Sequence, residues 1–196
     1  MLKSRTTIAI VGLLAASLTL AACSTGGIDA GGGASSSVSP SNSSARFNDA
    51  DISFAMAMVV HHQQAIDMAQ LVLDKKDIDP RVTTLAKDIK AAQGPEIEKM
   101  NSWLNDWGSS STGMSGMDNG GMLMSDGDIA ALKAANGVPA DKLFLQQMTI
   151  HHKGAIGMAT TELKDGKNPD ALALAQTIID AQTAEIAQMS DILATL

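Results

Sequence analysis

Phe54-Ala55-Met56-Ala57-Met58-Val59-Val60-His61-His62-Gln63-Gln64-Ala65-Ile66-Asp67-Met68-Ala69 decides how this chain folds, because its frame returns 90 residues later. The second copy reads Phe144-Leu145-Gln146-Gln147-Met148-Thr149-Ile150-His151-His152-Lys153-Gly154-Ala155-Ile156-Gly157-Met158-Ala159. Phe54, Met58, Ala65, Met68 and Val72 step by four, seven, three and four residues, which is the apolar seam of an amphipathic helix, and His61 occupies the missing step. All 4 histidines of the chain stand in these two pairs.

A second line repeats as well. Leu85-Ala86, Ile89, Ala92-Gln93, Glu96-Ile97, Met100 and Leu104 return as Leu174-Ala175, Ile178, Ala181-Gln182, Glu185-Ile186, Met189 and Leu193, now 89 residues on. The single deletion therefore falls in the loop between the two lines. Strand signals are lacking: the chain has no tyrosine, 3% aromatic residues and no alternating β-branched run. Ala, Leu, Met, Gln and Lys favour helix.

Helices are expected at about 48–75 and 80–107, then from Asp141 to about Lys164 and from Pro169 to the C-terminus. Asp79-Pro80 and Asn168-Pro169 each supply an N-cap followed by proline at the first helical position. Gly94-Pro95 predicts a kink or local opening near Ala91. Each hairpin exposes an apolar stripe, and packing the two together buries both. The expected architecture is all-α, a four-helix bundle over residues 47–196 with approximate two-fold symmetry. It comprises a hairpin at 47–107, a Met-rich connector at 108–127, a short helix at 128–136 that ends at Asn136-Gly137, and a hairpin at 139–196.

The start of the chain has a different composition. Lys3 and Arg5 precede the apolar run Ile8–Leu20, which is short for a membrane span, and Leu20-Ala21-Ala22 precedes the sole cysteine. This order predicts a signal peptide at 1–22. Leu-Ala-Ala-Cys resembles a bacterial lipobox, which implies cleavage before Cys23, lipidation of its sulfur, and export to an envelope membrane carried by acyl chains. Residues 23–46 are mostly Ser, Gly and Ala, the composition of a flexible tether. Without Lys3 and Arg5 the chain keeps 12 of its 14 basic residues against 21 acidic ones, a formal −9. That balance argues against nucleic acid as a partner.

Imidazole and thioether together form a ligand set soft enough for copper. In the first hairpin the candidate ligands are Met58, His61, His62, Met68, Glu96 and Met100. In the second they are Met148, His151, His152, Met158, Glu185 and Met189. Antiparallel pairing about residue 77 sets His61 level with Gln93 and Met58 with Glu96; pairing about 167 sets His151 near Gln182 and Glu185. Neighbouring helical residues diverge by about 100°, so one histidine of each pair is expected in the seam and the other at its edge. Met114, Met117, Met122 and Met124 place four thioethers in a polar connector, where they can capture Cu(I) transiently.

These motifs together resemble the domain of unknown function 305 family. The resemblance rests on Phe54…Met58-x-x-His61-His62-x-x-Ala65-x-x-Met68-Ala69 and Gln93-x-x-Glu96-Ile97-x-x-Met100-x-x-Trp103-Leu104. It rests equally on His151-His152-x-Gly154-Ala155-Ile156-x-Met158-Ala159 and Gln182-x-x-Glu185-Ile186-x-x-Met189. It covers nearly all of residues 48–196 and implies an exported, ferritin-like four-helix bundle. Some members are similar to periplasmic copper-binding proteins, which implies copper binding through Met and His. Pro95, and Ile192 where Trp103 would match, depart from the pattern.

The leading expectation is a lipid-anchored protein that sequesters or hands on copper, without catalysis. A metal-free helical envelope or interaction protein is the alternative. A di-iron oxidase is a third reading, but such sites use Glu-x-x-His motifs and four glutamates, and this chain has no Glu-x-x-His.

Overall fold

Asn48 opens the first repeat helix with a capping box. Its side chain accepts from the Ala50 and Asp51 backbone N–H groups at 3.0 and 3.1 Å, while Asp51 accepts from the Asn48 N–H at 2.6 Å. The computed structural model describes residues 46–109 and 123–196. These form α1 (Asp49–Leu73), α2 (Pro80–Asp106), α3 (Asp126–Ala134), α4 (Gly137–Asp165) and α5 (Pro169–Leu193), with no strand among the described residues. The all-α expectation holds. Cys23, the signal and tether segments, Met114, Met117 and Met122 lie outside the described residues.

Asp79 and Asn168 cap α2 and α5 ahead of their prolines. Helix α2 runs without interruption past Ala91 and through Gly94-Pro95. Both Ala91 and Pro95 are exposed, which places the turn that loses an N–H to proline at the protein surface. The short helix lies two residues upstream of the expected 128–136, because Ser125 and Asp128 form a capping box that starts it earlier. Asn136-Gly137 does not close that helix. Instead, Asn136 is the N-cap of α4, and Gly137 is its first residue at a φ of 55°, where the missing Cβ spares strain.

The hairpins are α1 against α2 and α4 against α5; they join chiefly through α1 and α4, while α2 and α5 barely meet. Two buried aspartates tie the halves reciprocally. Asp51 on α1 accepts from the Lys167 and Asn168 N–H groups, at 3.0 and 2.8 Å, in the turn before α5. Its repeat counterpart Asp141 on α4 accepts from the Asp79 N–H at 3.2 Å in the turn before α2. Each start of an outer helix is thus held by the inner helix of the other hairpin, and α1 and α4 run antiparallel.

The two sites differ in strength. Burial pushes Asp51 up, but the N–H groups of Asn168, Lys167 and Asn48, with the Glu162 carboxyl, leave it below the usual carboxylate range. Asp141 has fewer donors, and burial leaves it raised. Asp51→Ala is therefore expected to cost about 2–4 kcal/mol in urea unfolding, and Asp141→Ala about 1–2 kcal/mol. Equal costs would contradict this assignment.

Candidate metal centre

A helix turns about 100° per residue, so His61 and His62 leave α1 in different directions. The bundle buries both. His61 points at α4, where its ring lies 3.6 Å, centroid to centroid, from that of His151 at an interplanar angle of 33°. His62 points at α2, where its Nε2 meets Glu96 Oε2 at 2.8 Å. The second half repeats this: His152 Nε2 meets Glu185 Oε2 on α5 at 2.5 Å. The expectation that one histidine of each pair lies at the seam's edge is corrected, because no histidine is more than 1% exposed. Helices on two sides of α1 and of α4 cover both directions. Glu96 pairs with His62 rather than lying level with Met58, a shift of about one turn.

The histidines lie between two apolar clusters. Met58, Met100 and, at its edge, Met158 belong to one. Met68, Met148, Met189 and Met124 belong to the other. Met58, Met68, Met100, Met148 and Met189 are fully buried, while Met158 is only half-buried. Met189 Sδ accepts from the Thr149 hydroxyl at 3.6 Å. Met124 is clamped by Gln64, whose side chain accepts from its N–H at 2.8 Å and donates to its carbonyl at 3.0 Å. Thr149 and Gln64 carried no sequence signal, since only the fold shows what they reach.

The polar atoms of this layer are poorly satisfied. Nδ1 of His62, both ring nitrogens of His151 and Nδ1 of His152 are buried without a hydrogen-bond partner. So are the carbonyl oxygens of Gln93 and Gln182, which stand on the facing helices. Burial, then the neighbouring imidazoles of His61, His152 and His62, push His151 down to about 2. Its ring is neutral at physiological pH and keeps a lone pair for a ligand. Among the described residues no three His, Cys, Asp or Glu side chains form a ready ligand cluster, so thioethers or a rotated ring must complete any shell.

Residues 51–193 match the family described as Domain of unknown function (DUF305). The chain belongs to this family. A DUF305 protein from Streptomyces coelicolor, described as secreted, is 34% identical, with a TM-score of 0.69 over 74% of this chain and 91% of its own. A DUF305 fragment from Deinococcus radiodurans is 28% identical, with a TM-score of 0.70 over 76% and 98%. CopM in its Cu(II)-bound form is 35% identical, with a TM-score of 0.65 over 74% and 96%. CopM is also solved bound to Cu(I) and to silver. No curated protein matches this chain.

Folded His151 stays neutral down to about pH 2, whereas the unfolded chain takes up that proton near 6.5, the ordinary value for histidine. The unfolded state binds more protons across this interval, so the contribution of His151 to stability is full above pH 6.5 and is lost as pH falls. Glu162, raised to about 8 by burial and by the Asp51 carboxyl, acts in the opposite sense between the ordinary glutamate value of 4.5 and 8. Comparing variants separates the two. Thermal melts of His151→Phe should show a flatter decline between about pH 6 and pH 4 than the parent chain, and an unchanged decline would exclude this cause.

Proposed function

We propose that this DUF305 protein sequesters or transfers copper, using the buried histidines and the methionines beside them. Two imidazoles meeting at the α1–α4 contact and two beside them turned to the outer helices, with ring nitrogens of three left unsatisfied, carry the reading. An unsatisfied buried polar group costs about 1–3 kcal/mol, and ligation of a cation removes that cost. Soft thioethers on either side favour Cu(I), and imidazole accepts both oxidation states. CopM, about one-third identical, was solved with both forms of copper and with silver, which supports the same class of ion here.

The carboxylates divide the labour. With His62 Nε2–H donated to Glu96, the lone pair of Nδ1 is turned to the interior, and His152 with Glu185 repeats the arrangement. In this reading Glu96 and Glu185 orient ligands rather than bind the ion, as carboxylates behind metal-bound histidines do. Met58 and Met148 stand one turn before His61 and His151, and Met100 and Met189 one turn after Glu96 and Glu185. Met68 and Met158 lie two turns beyond the histidines, and Met114, Met117, Met122 and Met124 would pass Cu(I) inward.

Export fits the composition of the first 23 residues and the description of the Streptomyces coelicolor relative as secreted. Anchoring through lipidated Cys23 belongs to the same proposal. Among the described residues no helix is long and apolar enough to cross a membrane.

The test is Cu(I) titration against a competing chelator. The parent chain should retain copper. The combined change of His61, His62, His151 and His152 to Ala should weaken binding by at least about 100-fold, and Glu96→Gln with Glu185→Gln by about 10–100-fold. Copper retention untouched by the four-histidine change would sink the proposal and leave a helical envelope scaffold.

A further inference from the structure

Two corners of the bundle tie the hairpins together in the same way, but what stands behind each tie differs. Asp51 holds the turn before α5, and Asp141 holds the turn before α2. By the 90-residue repeat, Glu162 on α4 stands where the first half has Val72. Val72 and Asp51 are fully buried, and Glu162 is 1% exposed. Glu162 shares a hydrogen bond with Asp51. One corner therefore encloses two carboxyl groups, whereas the repeat offers the other a hydrocarbon in place of the second acid.

The donors at this corner decide which acid holds the proton. The Lys167 and Asn168 N–H groups reach Asp51 Oδ1 at 3.0 and 2.8 Å, and the Asn48 N–H reaches Oδ2 at 2.6 Å. No N–H or hydroxyl group of the described residues reaches either Glu162 oxygen. A carboxylate with three donors stays ionised, and a buried carboxyl with none keeps its proton. The bond between them is thus a Glu162 O–H donated to the Asp51 carboxylate, a charge-assisted and therefore strong kind. Burial, then the hydrogen bond to Asp51 and its charge, push Glu162 up to about 8. The backbone makes room for this arrangement. A Cβ on Gly166 would collide with Glu162 Oε1, while the corresponding turn of the first hairpin carries side chains at Lys76 and Asp77.

Loss of the proton leaves two anions a hydrogen bond apart. Desolvation and like charge both oppose that state, and Glu162 has no donor to offset either. Asp51 is the charged group that acts on Glu162. Arg46 and Asp49 flank the start of α1, and Asp106 lies at the end of α2. Lys164 and Asp165 end α4, Lys167 lies in the turn, and Asp170 opens α5. All of these are exposed, where water screens them. Two further ties, Asn48 Nδ2 to the Asp165 carbonyl at 2.8 Å and Asn168 Nδ2 to the Arg46 carbonyl at 3.1 Å, are exposed as well. The least costly response is for the turn to lift from Asp51 and admit water to both carboxylates.

We propose that the Asp51–Glu162 pair is a proton-operated latch: one shared proton keeps the α4–α5 turn seated on α1, and its loss to solvent frees the turn at that corner alone. The Asp141 corner, with Val72 in place of the second acid, stays shut. The latch is independent of the copper reading, since it uses no histidine and no methionine.

The test is a titration of the full chain without copper from about pH 5 to pH 10, which spans the ordinary and the raised glutamate ranges. The carbon-13 shift of the Glu162 carboxyl reports the proton, and amide hydrogen exchange, corrected for its intrinsic pH dependence, reports the turn. Glu162 should titrate near 8 rather than near 4.5. Protection of the Lys167 and Asn168 amides should fall at least about tenfold through the same step, while the Asp79 amide, held by Asp141, keeps its protection. Glu162→Gln, whose amide donates to Asp51 at every pH, should abolish the step in protection. Glu162→Val, the residue of the other half, should abolish it too and serves if the glutamine variant misfolds. Gly166→Ala, which displaces the carboxyl, should move the titration toward the ordinary glutamate value. Titration of Glu162 near 4.5, protection unchanged through a high titration, an equal loss at Asp79, or a loss that survives removal of the Glu162 carboxyl would each overturn the proposal.

Discussion

The contact between α1 and α4 is the constraint on which the rest of the domain depends. The two hairpins join mainly through it, and its middle is a pair of buried imidazoles, His61 and His151, 3.6 Å apart and tilted by 33°. Aliphatic residues of similar size would pack there at lower cost, because His151 brings two nitrogens that the interior does not satisfy. The surrounding structure supports this arrangement. Asp51 and Asp141 lock the hairpins at opposite ends, and the methionine clusters lie on either side.

Symmetry explains why the site sits where it does. A repeated helical hairpin closing on itself brings the same residue of each copy to the axis, and in this chain that residue is a histidine. The next residue, turned by one helical step, faces the outer helix, where Glu96 or Glu185 receives it. Adjacent histidines thus do different work: one makes the contact between halves, and the other couples that contact to a half-exposed carboxylate. The copper proposal needs both, and similarity to CopM gives it chemical company without assigning these residues.

Departures from symmetry carry separate information. Helix α3 covers one half of the α1–α4 groove, and among the described residues no equivalent helix covers the other half. The exchange of Val72 for Glu162 puts an acid in a place where the fold accepts a hydrocarbon. Such a substitution costs stability, and the Asp51 carboxyl beside it shares a hydrogen bond with the buried acid.

Much was legible in the residues alone. The seam of period 3.6, the Asp79-Pro80 and Asn168-Pro169 starts, and the repeat at offsets of 90 and 89 determine an all-helical pair of hairpins, because helix propensity, capping and amphipathic spacing are local properties. The family followed from the same motifs. Tertiary structure alone decided that both histidines of each pair are buried, that Glu96 and Glu185 meet His62 and His152, and that Ser125 starts α3 two residues early. Among the described residues, it also decided that a cavity lies in one half of the α1–α4 groove. These depend on which helices approach which faces and how far each is shifted along its axis. Local sequence leaves that undetermined to within about one helical turn, and one turn is the distance that separates a ligand from a bystander.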